Sequence, residues 1–317
     1  MKKLVVLLPC VVALSAWADK PAAPPTDAKA QPADIKPVDA KAPTSSSPRP
    51  APVLVVTGFQ TPESVYWDEP GDRYLVANIN GQPAVKDGNG FISVLSIDGK
   101  VTADKWIVGG ALGVTLHAPK GMTIDKGVLY VSDIDVVRTF DAKTGAPRGD
   151  IEVKGASFLN DIVAGPNHKV YVSDTGVDAD FKSAGTDGVW VIEGKKAKPY
   201  YAAKDLGGPN GLFFSGKDLV VNCFGSAEIF QLDGKKGKRN TTTTPQGGGD
   251  GLFVATDGTI WTSSWGGSAI YKGKLGGTFE PVIQNVSGPA DFAVNTKKSQ
   301  LVLPRFVDNT VEIYDIK

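Results

Sequence analysis

The stretch GDGLFVATDGTIWTSSWGGSAIYKGKLGGTFEPVI, residues 249–283, decides the fold. Gly251–Ala255 reads as a strand and Thr256-Asp257-Gly258 as a turn. Thr259–Ser264, Ala269–Lys274 and Thr278–Ile283 read as three further strands. Its opening recurs. Pro62-Glu63-Ser64-Val65, Pro119-Lys120-Gly121-Met122, Leu159-Asn160-Asp161-Ile162, Pro209-Asn210-Gly211-Leu212, Gly249-Asp250-Gly251-Leu252 and Pro289-Ala290-Asp291-Phe292 share one pattern. A small or turn residue is followed by a variable polar position and then an apolar strand start. The spacings are 57, 40, 50, 40 and 40 residues. A period near forty with several strands per unit is the signature of a propeller.

Second strands repeat as well: Tyr74–Asn78, Leu129–Asp133, Val170–Asp174 and Leu219–Asn222 are β-branched and aromatic-rich. Sustained helical periodicity is missing from the sequence after the N-terminal segment. The expected fold class is therefore all-β, a six-bladed β-propeller with four-stranded blades over residues 51–317. The sixth unit has room for three strands only, about 291–295, 300–306 and 310–316. Residues 52–57, Pro-Val-Leu-Val-Val-Thr, form a strand without a unit, and should close the last blade as its outer strand. Two units carry extra residues, about 79–90 and 175–187. Both insertions follow a second strand, so both fall on the face where the innermost strands begin. Thr241–Thr244 reads as an exposed loop between blades.

The first fifty residues are of another kind. Lys2 and Lys3, the apolar run Leu4–Leu14 and Ala16-Trp17-Ala18 predict a signal peptide at 1–18. The apolar run is too short to span a membrane. Residues 19–50, rich in Ala, Pro, Lys and Asp, are expected to be a disordered linker. Export places the mature chain in a periplasm or outside the cell. Removing the signal leaves 32 basic residues against 34 acidic ones, which gives no support for nucleic-acid binding. Of the two cysteines only Cys223 remains after cleavage, and it reads as a small buried apolar residue.

In a propeller the innermost strands line the central channel, so equivalent residues converge on the axis. The ring is Glu63, Lys120, Asn160, Asn210, Asp250 and Ala290. Four of these offer oxygen ligands, which suit a hard divalent cation such as Ca²⁺, Mg²⁺ or Mn²⁺. Pro-Asn-Gly and Gly-Asp-Gly are also ordinary turn sequences, so each member has a purely local reading.

With one such residue per unit, the order Glu63, Asn160-Asp161, Pro209-Asn210-Gly211-Leu212, Asp250-Gly251-Leu252 resembles the SMP-30/gluconolactonase/luciferin-regenerating family of six-bladed propellers. The resemblance covers roughly residues 52–317. It implies one divalent metal, Ca²⁺ first and Mg²⁺, Mn²⁺ or Zn²⁺ as alternatives, on Glu63, Asn210 and Asp250. It implies substrate contact at Asn160 and Asp161, and hydrolysis of a lactone or related ester with Asp250 taking a proton from water. The remaining substrate-side candidates are Lys120, His117, Trp265 and Arg305. His168, the other histidine, is expected in an exposed hairpin turn.

Two departures bear on this. The family often has an arginine two residues before the third-blade Asn, where this chain has Phe158. Lys120 brings an ammonium either into the centre, pairing with Glu63 and Asp250, or away from it along its stem. The competing expectation is a non-catalytic exported propeller that binds a small ligand or a protein partner on the same face.

Overall fold

A computed structural model of the chain describes residues 50–316, as six four-stranded antiparallel sheets. The expected signal peptide and residues 19–49 of the expected linker lie outside the described residues. Blade 1 is Pro62–Asp68, Arg73–Asn78, Phe91–Ser96 and Val101–Val108. Blade 2 is Pro119–Asp125, Val128–Asp133, Val136–Asp141 and Pro147–Glu152. Blade 3 is Leu159–Ala164, Val170–Asp174, Gly188–Glu193 and Lys196–Ala202. Blade 4 is Pro209–Ser215, Asp218–Cys223, Glu228–Asp233 and Gly237–Thr243. Blade 5 is Gly249–Val254, Ile260–Ser264, Ala269–Gly273 and Glu280–Gln284. Blade 6 takes Ala293–Asn295, Gln300–Arg305 and Thr310–Asp315 from the C-terminal end, and Leu54–Thr57 as its outer strand.

The predicted closure is the observed one. Leu54 pairs with Ile313 and Thr57 with Thr310. A second seal forms at the axis, where the Val65 amide donates to the Asp291 carbonyl at 3.0 Å and the Asp291 amide to the Glu63 carbonyl at 3.0 Å. Blades 1 and 6 are thus joined at both the outer and inner edges of the sheet.

Strands alternate side chains between their two faces, so each blade buries one face on each neighbour. Six apolar clusters result, one per blade interface. Leu75, Ile92, Met122 and Val131 fill that between blades 1 and 2. Val65, Val76, Val302 and Ile313 fill the closing one, between blades 6 and 1. A buried aliphatic side chain of this kind contributes roughly 1.5–3 kcal/mol through removal from water. A seventh, small cluster lies on the mouth face: Ile79, Ala118 and Ile134, with Phe306 against them.

The two insertions occupy 79–90 and 175–187, between second and third strands as expected. Thr241–Thr243 is corrected: these residues extend the outer strand of blade 4, and the buried Thr244 hydroxyl donates to the carbonyls of Ala227 and Gln246. No helix among the described residues is long and apolar enough to cross a membrane.

Candidate functional site at the channel mouth

The ring residues are aimed by interruptions in the strand ladders. In blade 2, Pro119 pairs with Asp133 and the next pair is Met122 with Val131, so Lys120 and Gly121 bulge out of register. Asn160-Asp161, Asn210-Gly211 and Asp250-Gly251 bulge in the same way, and Glu63 does so alone. A bulge turns a side chain out of the strand's alternation. Here it takes the ring residue out of the ladder in blades 1 to 5.

The residue after the ring position lies against the next blade. A Cβ on Gly211 would meet the Asp250 carbonyl oxygen at 2.2 Å, and one on Gly121 would meet the Asp161 Cα at 2.6 Å. Glycine is required at both by the closeness of the neighbouring backbone. Hydroxyls on the second strands fasten adjacent blades. Ser173 donates to the Asn210 carbonyl at 2.7 Å and Ser263 to the Ala290 carbonyl at 3.0 Å.

Glu63, Lys120, Asn160, Asn210, Asp250 and Ala290 are all buried. Five buried side-chain polar atoms among the described residues lack a hydrogen-bond partner. Three of the five are Glu63 Oε2, Asn210 Oδ1 and Asp250 Oδ1. Native proteins rarely leave such atoms unpaired, because a buried acceptor without a donor costs about 1–3 kcal/mol. All three are oxygen acceptors, two of them on carboxyl groups, and they belong to different blades. This donor set fits a hard divalent cation. It contains only two carboxylates, and among the described residues no group of three or more His, Cys, Asp or Glu side chains is arranged to hold a metal.

Burial dominates the acidity of the channel. It pushes Asp250 up to about 7, aided by the charge of Asp161 and opposed by the Trp265 indole and the Asn210 side chain. It pushes Asp161 up to about 7 against the pull of two backbone amides. Glu63 is raised well above the ordinary carboxylate range by burial and then by Asp250, with Lys120 pulling the other way. Asp291 is raised in the same sense by burial, Asp161, Asp250 and Glu63. Four buried carboxyl groups are thus raised together, with neighbouring negative charge adding to burial at Glu63, Asp250 and Asp291 and the Lys120 ammonium opposing it at Glu63.

Lys120 takes the second of its two expected courses. Its ammonium donates to the carbonyls of Pro83 at 3.0 Å and Ala118 at 3.1 Å, and lies 4.4 Å from the centre of the Phe158 ring. The lysine thus ties the 79–90 insertion to blade 2, and Phe158 faces the charge with its π cloud. Burial lowers the Lys120 pKa, against the charges of Glu63 and Asp133.

His117 lies at the rim, and its Nδ1 accepts the Gly88 amide at 2.9 Å, a second tie to the same insertion. Trp265 stands beside the ring: its indole nitrogen donates to Asp250 Oδ2 at 2.7 Å. Its ring meets Phe306 edge-on at 5.2 Å and Phe224 at 6.1 Å. Asn160 donates to the Thr175 hydroxyl at 3.1 Å.

Asp161 spans two blades, its carboxylate accepting the Leu212 amide at 2.6 Å and its own neighbour's, Ile162, at 2.6 Å. Arg305 is engaged within blade 6 by Glu312 at 2.9 Å, by Asp308 and by the Ser287 carbonyl at 3.2 Å. His168 is exposed in its turn and sits 2.9 Å from Asp125.

Asp291 escaped the sequence reading. The signal was available: Asp161 and Asp291 occupy the same repeat position, one residue beyond the ring, where blades 2, 4 and 5 have glycine.

No protein-family model matches the chain, and no curated protein matches it in sequence. Solved structures share its fold. A gluconolactonase from Xanthomonas campestris is 16% identical at a TM-score of 0.62, covering 86% of this chain and 96% of that one. A luciferin-regenerating enzyme is 15% identical at 0.57, covering 82% and 94%. A catalytically inactive variant of virginiamycin B lyase from Staphylococcus aureus, with quinupristin, is 13% identical at 0.55, covering 80% and 94%. At these identities the likeness is one of fold, the six-bladed propeller. Gluconolactonase and luciferin-regenerating neighbours fit the family that the ring motifs resemble.

Proposed function

We propose that the protein is an exported, divalent-metal-dependent hydrolase of a lactone or related ester. The observation that carries this reading is the set of three unpartnered buried oxygens on Glu63, Asn210 and Asp250. These residues would hold the ion, Ca²⁺ by preference. A bound divalent cation supplies a positive charge that polarises the ester carbonyl and stabilises the oxyanion formed on water attack.

The chain's own groups do the rest. The Trp265 indole fixes Asp250 through Oδ2 and leaves Oδ1 free of other donors. Asp250 accepts the proton of the attacking water as the C–O bond to the carbonyl carbon forms. Collapse of the adduct breaks the ring C–O bond, and the departing alkoxide recovers that proton. Net, one water is consumed and a hydroxy acid is released. Burial of the ring residues limits access of bulk water, which strengthens each of these interactions. Lys120 and His117 anchor the 79–90 insertion that walls one side.

The test is lactone hydrolysis by chelator-treated protein, followed as acid release with and without added Ca²⁺. Turnover should return with the ion and fall at least a hundredfold in Asp250→Asn. Undiminished turnover in excess chelator, or in that variant, would sink the reading. Ion binding without turnover of any ester would favour a non-catalytic binding propeller.

A further inference from the structure

The surroundings of the mouth are unusually apolar for a polar ring. Seven large hydrophobic side chains are exposed among the described residues. Val53, Leu54 and Val55 belong to the closing strand and its lead-in. The other four, Val85, Leu112, Phe181 and Val307, are in loops on the mouth face. Val85 and Phe181 are carried by the two insertions, Val307 follows the second strand of blade 6, and Leu112 precedes the innermost strand of blade 2.

Two further groups of apolar side chains lie at the mouth. Phe306 rests on Ile79, Ala118 and Ile134 and meets Trp265 edge-on. Phe181 is half exposed and packs edge-on against Phe158, at 5.8 Å.

Three basic side chains at the mouth that could serve hydroxyls are already committed. Arg305 is bound to Glu312 and Asp308, His117 to Gly88, and Lys120 to two carbonyls. The unpartnered atoms of the ring are all acceptors. A polyhydroxylated ring needs donors and acceptors around its rim, and burying its hydroxyls against Phe181 and Phe306 would leave them unpaired. An alkyl or aryl group on the same surface releases water from both partners.

Building on the hydrolase reading, we propose that the substrate is a lactone or ester bearing an apolar substituent, alkyl or aryl. Its carbonyl faces the ring, and its substituent lies along Trp265 and Phe306 toward the exposed side chain of Val307.

Two readouts keep this distinct from the hydrolase reading. The first is kcat/KM of the Ca²⁺-loaded protein for γ-lactones with side chains of zero to eight carbons, beside glucono-1,5-lactone. The second is calorimetric binding of non-hydrolysable 2-alkylcyclopentanones of the same lengths. Affinity and kcat/KM should rise about twofold per methylene over the first several carbons, a partial share of the full burial value. Val307→Ser, at an exposed position, should flatten both series and cut the longest-to-shortest ratio at least threefold. Val55→Ser on the closing strand should leave the series as in the wild type.

A flat series, or a preference for the gluconolactone, would overturn the apolar substituent while leaving hydrolysis intact. Ketone binding that lengthens with the chain, without turnover of any lactone, would uphold the apolar surface and overturn the hydrolase. An unaltered series in Val307→Ser would show that Val307 serves another surface, such as a membrane or protein contact, and would overturn the path assigned to the substituent.

Discussion

Asp250 at the channel mouth and Asp141 at the outer hairpin of blade 2 are the same side chain in opposite circumstances. Asp141 receives the Lys143 and Thr144 amides at 3.0 and 2.9 Å, the Thr144 hydroxyl at 3.0 Å and Arg148 at 2.5 Å, and its pKa is held down to about 2. Asp250 receives the Trp265 indole nitrogen on Oδ2, keeps Oδ1 without a donor, and is pushed up to about 7 by burial. Glu193 at the outer hairpin of blade 3 follows Asp141, at about 2 through Lys169 and Lys198, and the acidity of Asp161 follows that of Asp250. The hairpin carboxylates Asp141 and Glu193 are completed by their own turn or ion pair. Glu63 and Asp250 each keep one buried oxygen without a donor, while Asp161 is completed by two backbone amides. That contrast supports the ion site proposed on Glu63, Asn210 and Asp250, since uncompensated burial of charge is a cost to stability.

The contrast can be broken by substitution. In chelator-treated protein above neutral pH, Asp250→Asn removes a disfavoured charge and should stabilise the fold by roughly 1–3 kcal/mol in thermal or denaturant unfolding. Asp141→Asn removes a charge that its turn favours and should destabilise slightly. If both variants moved in the same direction, the two regions would not differ as described.

A pH series sharpens it. A carboxyl with a raised folded-state pKa binds more protons folded than unfolded, between its unfolded value near 4 and its folded value. Stability contributed by Asp161 and Asp250 is therefore present at low pH and is lost as pH rises from about 4 to 7. Asp141 and Glu193 have the opposite sign: their contribution is present above about pH 4 and is lost as pH falls toward 2. Metal-free protein should consequently lose melting temperature between pH 5 and 8, and Asp250→Asn should flatten that limb only.

The smallest effect is expected at Cys223. Its thiol donates to the Leu206 carbonyl, and burial pushes its pKa up to about 12. A thiol reagent at pH 8 should leave it unmodified in native protein and label it after denaturation. Rapid native labelling would show that the interface between blades 3 and 4 opens.

Fold and ring were legible because a repeat fixes both. Once the segment at 249–283 is seen as one of six, the closing strand, the two insertions and the ring positions follow from counting. Side-chain direction was not legible. Lys120 could point inward or outward on sequence alone, and the choice rests on the Pro83 carbonyl, brought within reach by an insertion of irregular structure. Arg305 and Trp265 were both placed near the mouth, yet one turns to Glu312 within its blade and the other to Asp250. Thr241–Thr243 looked like a loop because threonine runs carry no alternation, although they pair with the third strand of blade 4. Asp291 was hidden because its role comes from charges on other blades, which no local pattern displays.

The central claim is that Glu63, Asn210 and Asp250 form a cation site. Calorimetric titration of chelator-treated protein with Ca²⁺ at pH 8, repeated with Asp250→Ala, tests it most directly. The account predicts one ion per chain in the wild type and at least a hundredfold loss of affinity in the variant. No binding by the wild type, or equal binding by Asp250→Ala, would contradict it.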